Sequence, residues 1–298
     1  MTAKLIAEFE VHNELGEGIQ WRVSDQSIWW TDILGCYLYR CQWPEQTLQR
    51  FKMPEPLCSF AFSNRDNVMV AAFASGLARM DLATFELDWL AKIDTHDDQT
   101  RLNDGRADRF GRFWVGSMVK QMEQTTEPLG ELLRVTQGQV SAPLAADIWI
   151  SNGLCWSPAN DYLYFADSPR QSIYRYDFEG DSGIISNRTL FAKTPTGAYP
   201  DGANVDARGN LWSAHWGAGE VVCYSPQGSI VGRVSVPTCQ PSCIAFGGDQ
   251  LQYLFVTSAR QGLSDERLAA QMSAGNVFVF ELSGDLAVRG LPEATATL

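Results

Sequence analysis

A pattern 40 to 51 residues long recurs six times along the chain and constrains the fold more than any other feature. In each copy a polar or small residue precedes a short apolar segment, a polar turn follows, and a second apolar segment carries large side chains. Equivalent positions of the second segment are 40, 44, 51, 47 and 43 residues apart: Trp30, Val70, Trp114, Phe165, Trp212 and Phe255. This period is typical of the blades of a β-propeller.

Each repeat resembles a small antiparallel sheet. Turn sequences such as Asp108–Gly111 separate the first two strands, and alternating segments such as Ser172–Tyr176 supply a third strand and then a weaker fourth. The sequence therefore predicts an all-β, six-bladed β-propeller with four-stranded antiparallel blades around a central channel. Residues 1–298 form one domain in this interpretation, and one short helix is expected near Asp265–Met272.

The charge balance limits the expected partners. The chain has 35 acidic and 23 basic side chains, a net charge of −12, which repels nucleic-acid phosphates and anionic lipid headgroups. No apolar run approaches the roughly 18 residues of a membrane span, and the N-terminal residues do not resemble a signal peptide. The seven cysteines lack CxxC spacing, which favours reduced thiols. We therefore expect a cytoplasmic monomer or weak homo-oligomer, with no nucleic-acid or membrane partner.

The repeat register places six residues at one end of the channel, because the first strand of each blade lines the axis. They are Glu17, Cys58, Asn103, Asn152, Asp201 and Ser242. Carboxylates held close together either keep a proton or bind a cation. Oxygen ligands without histidine favour Ca²⁺, Mg²⁺ or Mn²⁺. About three protein ligands leave room for water and substrate, as in a catalytic metal site.

The same residues have a plainer interpretation, since Asn152-Gly153 and Asp201-Gly202 are turn dipeptides. Their shared register favours the cation ring over unrelated turns. A serine nucleophile is disfavoured because the sequence has no Gly-x-Ser-x-Gly motif. Two aspartates are interpreted as turn caps and three histidines as surface or structural residues: Asp32, Asp167, His12, His96 and His215.

Six short motifs, taken in order, resemble the senescence-marker-protein/gluconolactonase/regucalcin family. They are Leu15–Trp21, Arg101–Gly105, Gly111–Met118, Ser151–Leu154, Pro200–Gly202 and Gly209–Trp212. The resemblance extends from about residue 15 to residue 280. It implies a six-bladed propeller that hydrolyses sugar lactones with one divalent metal ion, which agrees with the fold and the ring predicted from the repeats.

The resemblance also implies roles for individual residues. Glu17, Asn152 and Asp201 would bind the metal, and Arg101 and Asn103 would face the substrate. Cys58 and Ser242 gain no role and are assigned to the channel wall. Some members of the family have an acidic residue shortly after the Gly-Ser/Thr-Met segment, where it contacts sugar hydroxyls. The two residues here that could take that place are Gln121 and Glu123.

The expected activity is opening of an aldonolactone to the aldonic acid by a metal-dependent lactonase. The metal, with Ca²⁺ expected first and Mg²⁺, Mn²⁺ or Zn²⁺ as alternatives, would polarise the ester carbonyl. Asp201, or another acid of the site in its place, would be the general base for the attacking water. The loop Lys120–Gly130 would cover the channel mouth. Two other functions stay open: a calcium-binding regulatory protein, and a propeller hydrolase acting on another ester, such as an organophosphate.

Overall fold

The computed structural model describes residues 2–93, 96 and 98–298. Its first strand, β1 (Thr2–Phe9), lies apart from the strands that follow it in sequence. Blade 1 contains β2 (Gly16–Arg22), β3 (Ser27–Asp32), β4 (Tyr37–Gln42) and β5 (Thr47–Lys52). Blade 2 contains β6 (Leu57–Phe62), β7 (Val68–Phe73), β8 (Gly76–Asp81) and β9 (Leu87–Lys92).

Blade 3 contains β10 (Thr100–Ala107), β11 (Phe113–Val119), β12 (Gly130–Thr136), β13 (Gln139–Val140) and β14 (Ala145–Ile148). Blade 4 contains β15 (Ser151–Trp156), β16 (Tyr162–Asp167), β17 (Ser172–Glu179) and β18 (Ile184–Lys193). Blade 5 contains β19 (Tyr199–Val205), β20 (Leu211–Trp216), β21 (Glu220–Tyr224) and β22 (Ile230–Ser235). Blade 6 contains β23 (Pro241–Gly247), β24 (Tyr253–Ser258) and β25 (Val277–Ser283), with β1 as its outer strand.

The predicted six-bladed β-propeller is confirmed. Every blade is an antiparallel sheet, and in blade 3 the short strands β13 and β14 both pair with β12 in place of a single fourth strand. Each inner strand contacts the inner strand of the next blade, and β23 contacts β2, so the inner strands surround a central channel.

The ring is closed by the N-terminal strand. β1 pairs with β25 from Thr2 opposite Ser283 to Phe9 opposite Val277, and the Asn276 side chain donates to Glu8 at 2.6 Å. The expected helix is confirmed as α1 (Asp265–Ala270), where the Ser264 hydroxyl caps the first turn. No helix among the described residues has the length and apolar character needed to cross a membrane.

Repeated aspartates explain why the hairpin turns were recognisable in the sequence. Asp108 accepts hydrogen bonds from the backbone of its own turn and from the indole of Trp114 at 2.8 Å. Asp206 does the same for its own turn and for Trp212 at 2.9 Å. Trp114 and Trp212 thus each gain a polar partner while their rings fill the space between the sheets.

Asp32 caps the turn that follows β3, as predicted, since it accepts from the backbone N–H of Gly35 at 3.0 Å. Asp167 is also structural, but its side chain makes no capping hydrogen bond to the 3₁₀ turn that follows it. Asp32 accepts from the backbone N–H groups of Glu14 and Leu15, just before β2. Asp167 accepts from those of Trp149 and Ile150, just before β15. Each carboxylate therefore fixes the segment that leads into an inner strand, because it accepts hydrogen bonds from backbone N–H groups that have no partner in the sheet.

The C-terminal segment closes the channel at the end opposite the ring. Glu293 accepts from Arg106 of blade 3 at 2.8 and 3.1 Å and from Asn204 of blade 5 at 3.0 Å. Arg106 also donates to the carbonyl of Ile244 in blade 6. The Glu293 carboxylate therefore connects the far ends of two inner strands, and Arg106 extends the contact to a third.

Candidate active site

The predicted ring residues lie at irregularities in the inner strands. In all six blades the register between the first and second strands shifts at the ring residue, for example between Glu17 and Gln20 and between Asn152 and Cys155. Such a bulge leaves residues outside the regular pairing and redirects their side chains. Gly18 and Gly153 have φ values of 58° and 65°, the left-handed region that favours glycine. Glu17-Gly18 and Asn152-Gly153 therefore form bulges inside strands and are not turns between strands.

A cavity of about 500 Å³ opens at this end of the channel. It brings together all five residues predicted from the main motifs, which come from four blades: Glu17, Arg101, Asn103, Asn152 and Asp201. The wall is mostly apolar and includes Leu15, Met118, Met122, Ile150, Tyr199 and Trp216. A pocket with a few converging polar groups and apolar walls is the usual form of a small-molecule site.

The polar floor contains a pair of buried carboxyl groups. Glu17 and Asp201 are each 7% exposed and are hydrogen-bonded to one another. Burial, which penalises the charged form, is the main reason that both pKa values lie well above the ordinary range. The charge of Asp104 raises both further, and the charge of Glu17 raises the pKa of Asp201. The pair therefore holds a proton at neutral pH unless a cation takes that proton's place.

Asp104 is a buried neighbour of the carboxyl pair that the sequence interpretation missed, although it does not line the cavity itself. The bulge in β10 lies between Leu102 and Gly105 and so contains both Asn103 and Asp104. The Asp104 carboxylate accepts from the backbone N–H of Leu154 at 2.9 Å, and burial raises its pKa. The one sequence feature that could have indicated a role for Asp104 is its position inside the Arg101–Gly105 motif. A regular strand would have turned one of these two neighbours away from the channel.

Arg101 and Asn103 lie side by side on the floor. The Arg101 guanidinium donates to Asn103 Oδ1 at 2.7 Å and to the Leu102 carbonyl at 2.8 Å. It also approaches the Cys58 sulfur at 3.7 Å. Burial raises the pKa of the Cys58 thiol to about 11, so the thiol is neutral at pH 7. Cys58 therefore lies beside Arg101 as a neutral thiol and is not among the residues that line the cavity.

Ser242 acts between blades. Its hydroxyl donates to the carbonyl of Gly16 in blade 1 and lies 3.0 Å from Thr257 Oγ1 in blade 6. It is fully buried and is not among the residues that line the cavity. Ser242 therefore joins blade 6 to blade 1.

The structure does not place Gln121 or Glu123 in the cavity wall, although both were expected to contact sugar hydroxyls. Residues Met122–Gln124 form a short 3₁₀ turn after β11, and Met122 is the side chain that lines the cavity. Successive side chains of a 3₁₀ turn point in different directions, so only one of the three faces inward. The neighbouring Lys120 pairs with Asp98 outside the cavity.

His215 is structural, as predicted, and does not line the cavity. It is fully buried, and its Nε2 lies 3.2 Å from the Tyr224 hydroxyl. Burial lowers the pKa of His215 to about 4, so its ring is neutral at pH 7. His12 is exposed and His96 half-buried, and neither lines the cavity.

The donor set suits a hard cation. Among the residues that the structure describes, no three histidine, cysteine, aspartate or glutamate side chains form a metal-binding group. The floor instead combines two carboxyl groups with the amide oxygen of Asn152, which is 4% exposed. Oxygen donors of this kind match Ca²⁺, Mg²⁺ or Mn²⁺. The buried carboxyl pair is also the feature that a divalent cation would stabilise most strongly.

These features define a six-bladed propeller with a candidate small-molecule site at one mouth of its channel. Residues 15–260 match the family described as SMP-30/Gluconolactonase/LRE-like region. The chain belongs to this family.

Two curated relatives are sugar lactonases. The chain is 37% identical over 281 residues to L-arabinolactonase of Azospirillum brasilense, covering 93% of this chain and 91% of that protein. It is 35% identical over 266 residues to 6-deoxy-6-sulfogluconolactonase of Pseudomonas putida, covering 89% and 90%. Among solved structures, a protein described as calcium-binding regucalcin from Agrobacterium tumefaciens superposes with a TM-score of 0.91. It is 29% identical, with 99% and 98% of the two chains covered.

Proposed function

We propose that this protein hydrolyses a sugar lactone with the help of one divalent cation held by Glu17, Asn152 and Asp201. The observation that carries the proposal is the pair of buried, hydrogen-bonded carboxyl groups on the cavity floor beside Arg101. A cation there would relieve the repulsion between the two carboxylates. The lactonase relatives, which match about nine-tenths of the chain, support the choice of substrate class.

The residues of the chain have distinct roles in this proposal. The cation, when bound, supplies Lewis-acid polarisation of the ester carbonyl. An Asp201 carboxylate oxygen accepts a proton from water as the water oxygen bonds to the carbonyl carbon. The ring C–O bond then breaks, and the same proton passes to the departing ring oxygen, leaving an open-chain hydroxy acid. Arg101 and Asn103 hold the oxygens of the lactone, which lowers the barrier through orientation.

The apolar wall also contributes. Met118, Met122 and Trp216 border the cavity above the polar floor. They exclude bulk water from a bound lactone and pack against its carbon face, which strengthens the electrostatic interactions at the floor. A protein that only stored calcium would need neither this wall nor an arginine beside the carboxylates. This favours an enzyme over a calcium-binding regulatory protein.

The proposal is tested by hydrolysis of an arabinonolactone, a gluconolactone and a 6-deoxy-6-sulfogluconolactone, each with Ca²⁺, Mg²⁺, Mn²⁺ or Zn²⁺ and again with a chelator. We expect chelator-sensitive turnover of at least one lactone. Asp201→Asn should lower kcat by about 10²-fold or more, since general bases contribute typically 10²–10⁴-fold. Asp249→Asn, at an exposed site outside the cavity, is the matched control.

Three results would contradict the proposal. They are chelator-insensitive hydrolysis, full activity of Asp201→Asn, and calcium binding without turnover of any lactone. The last result would favour the calcium-binding function. Turnover of a phosphate triester in preference to every lactone would instead favour an organophosphatase.

A further inference from the structure

A chain of hydrogen bonds runs across the cavity floor. Arg101 Nη1 donates to Asn103 Oδ1 at 2.7 Å, and Asn103 Nδ2 donates to Asn152 Oδ1 at 3.0 Å. Asn152 Nδ2 in turn donates to Ser168 Oγ at 2.8 Å. Finally, the Ser168 hydroxyl donates to the backbone carbonyl of Pro200 at 2.7 Å. Each side chain in the middle of this chain accepts one hydrogen bond and donates the next.

The two ends determine the direction of the whole chain. A guanidinium can only donate, and a carbonyl oxygen can only accept. If the Asn152 amide turned over, its NH₂ group would face the NH₂ group of Asn103. Its oxygen would then face the Ser168 oxygen, whose hydrogen is already used by Pro200. Both contacts would be repulsive at a site where Asn152 is only 4% exposed, and unpaired buried polar groups are costly.

Ser168 is well placed for this task. It is the first residue of a 3₁₀ turn (Ser168–Arg170) that follows β16, it is 6% exposed, and it borders the cavity. Its backbone N–H is held by the carbonyl of Ile150. The hydroxyl therefore has a fixed location between blade 4, which carries Asn152, and the start of blade 5 at Pro200.

We propose that Ser168 is a positioning residue that keeps the amide oxygen of Asn152, and not its nitrogen, directed toward the floor of the site. This rests on the proposed function, in which that oxygen binds a divalent cation. An amide nitrogen has no lone pair to offer a cation, so a reversed Asn152 is no ligand. Hydrogen-bond partners of metal ligands commonly change metal affinity by 10–100-fold when they are removed.

The test measures the Kd of CaCl₂, MgCl₂ and MnCl₂ by isothermal titration calorimetry on the full chain. Ser168→Ala should raise the Kd of the tightest-binding ion by 10–100-fold, while Ser168→Thr, which keeps the hydroxyl, should stay close to the wild type. Ser172→Ala is the matched control. Ser172 is a 1% exposed serine of the same blade that donates to the backbone carbonyl of Arg170. It should leave the Kd unchanged.

The same Ser168→Ala change, measured in the Asn152→Asp variant, distinguishes an effect on the orientation of the Asn152 amide from a general effect on the stability of the protein. An aspartate has two equivalent oxygens, so turning it over changes nothing. In Asn152→Asp, adding Ser168→Ala should therefore change the Kd by less than about 3-fold, well below the effect expected in the wild-type background. A merely structural serine would have the same effect in both backgrounds.

Each outcome is decisive. Ser168→Ala with a wild-type Kd, or equal effects of Ser168→Ala in the two backgrounds, overturns the positioning role and leaves the proposed lactonase untouched. If the wild type binds no divalent ion, the positioning role and the metal dependence of the proposed function both fail. A raised Kd in Ser168→Ala that Ser168→Thr restores supports the inference.

Discussion

Replacing Glu293 by alanine should destabilise the protein strongly, although this residue lies far from the candidate site in sequence and at the opposite end of the channel. The side chains of Arg106 and Glu293 are only 7% and 9% exposed, and two hydrogen bonds join them. Without the carboxylate, the Arg106 guanidinium would keep its contact with the Ile244 carbonyl at 3.4 Å. Asn204 would lose its partner as well.

The size of the effect follows from this burial. Removing one partner of a buried ion pair typically costs about 3–5 kcal/mol, because the other charge is left uncompensated. The unfolding entropy of globular proteins is roughly 2.1 cal/mol/K per residue. For a chain of 298 residues, the expected fall in Tm is therefore about 5–8 °C. Glu293→Gln, which can still accept hydrogen bonds, should fall between the wild type and Glu293→Ala.

Differential scanning calorimetry measures this effect, with Glu45→Ala at an exposed turn as the control. The double variant Arg106→Met/Glu293→Ala should recover part of the loss, since it removes the unpaired charge as well. If Glu293→Ala lowers Tm no more than Glu45→Ala does, the C-terminal segment does not close the channel as described. The reasoning from the buried pair would then be refuted.

Three further predictions concern the rest of the fold. Because burial lowers the folded-state pKa of His215 to about 4, the unfolded chain binds the extra proton. The stabilisation contributed by the neutral, buried His215 should therefore fall by about 2 kcal/mol between pH 7 and pH 5. The raised pKa values of Glu17 and Asp201 act in the opposite direction in both proteins, so the test is the difference in pH dependence of urea unfolding between the wild type and His215→Gln. Iodoacetamide at pH 8 should label the half-buried Cys36 and Cys239 and leave the five buried thiols unmodified, as mass spectrometry of native protein would show. Gly202→Ala should cost about 1–3 kcal/mol in urea unfolding, since its Cβ would lie 2.4 Å from Cys243 Sγ; unchanged stability would contradict the tight contact between blades 5 and 6.

Much of the fold was predictable because each blade repeats the same local chemistry. The Asp108 and Asp206 turns satisfy the same kinds of donors, including the indole of a following tryptophan. The role of β1 was not predictable in this way. Its partner β25 lies at the other end of the chain, and no period within the repeats marks a strand that completes a distant sheet.

The candidate site was only partly predictable for a related reason. Glu17, Asn152 and Asp201 could be found because equal positions in successive blades meet at the axis. Asp104 was missed because strand alternation would turn it away, whereas a bulge keeps it beside Asn103. Gln121 was expected at the site because of its sequence position. Gln121 directly precedes the 3₁₀ turn Met122–Gln124, and the fold of this turn decides which side chain of the segment faces the cavity; that side chain is Met122.

The sequence by itself determined the six blades and the residues that surround the channel mouth, because both follow from a repeating register along one chain. The tertiary structure decided how those residues are held. The hydroxyl of Ser168 orients Asn152, Asp104 adds its charge to the carboxyl pair, and Glu293 closes the opposite end. The contacts of Asp104 and Glu293 join residues from different blades or from the C-terminal segment, and Ser168 links Asn152 of its own blade to Pro200 of the next. Their distances depend on packing between the blades, which no spacing in the sequence records.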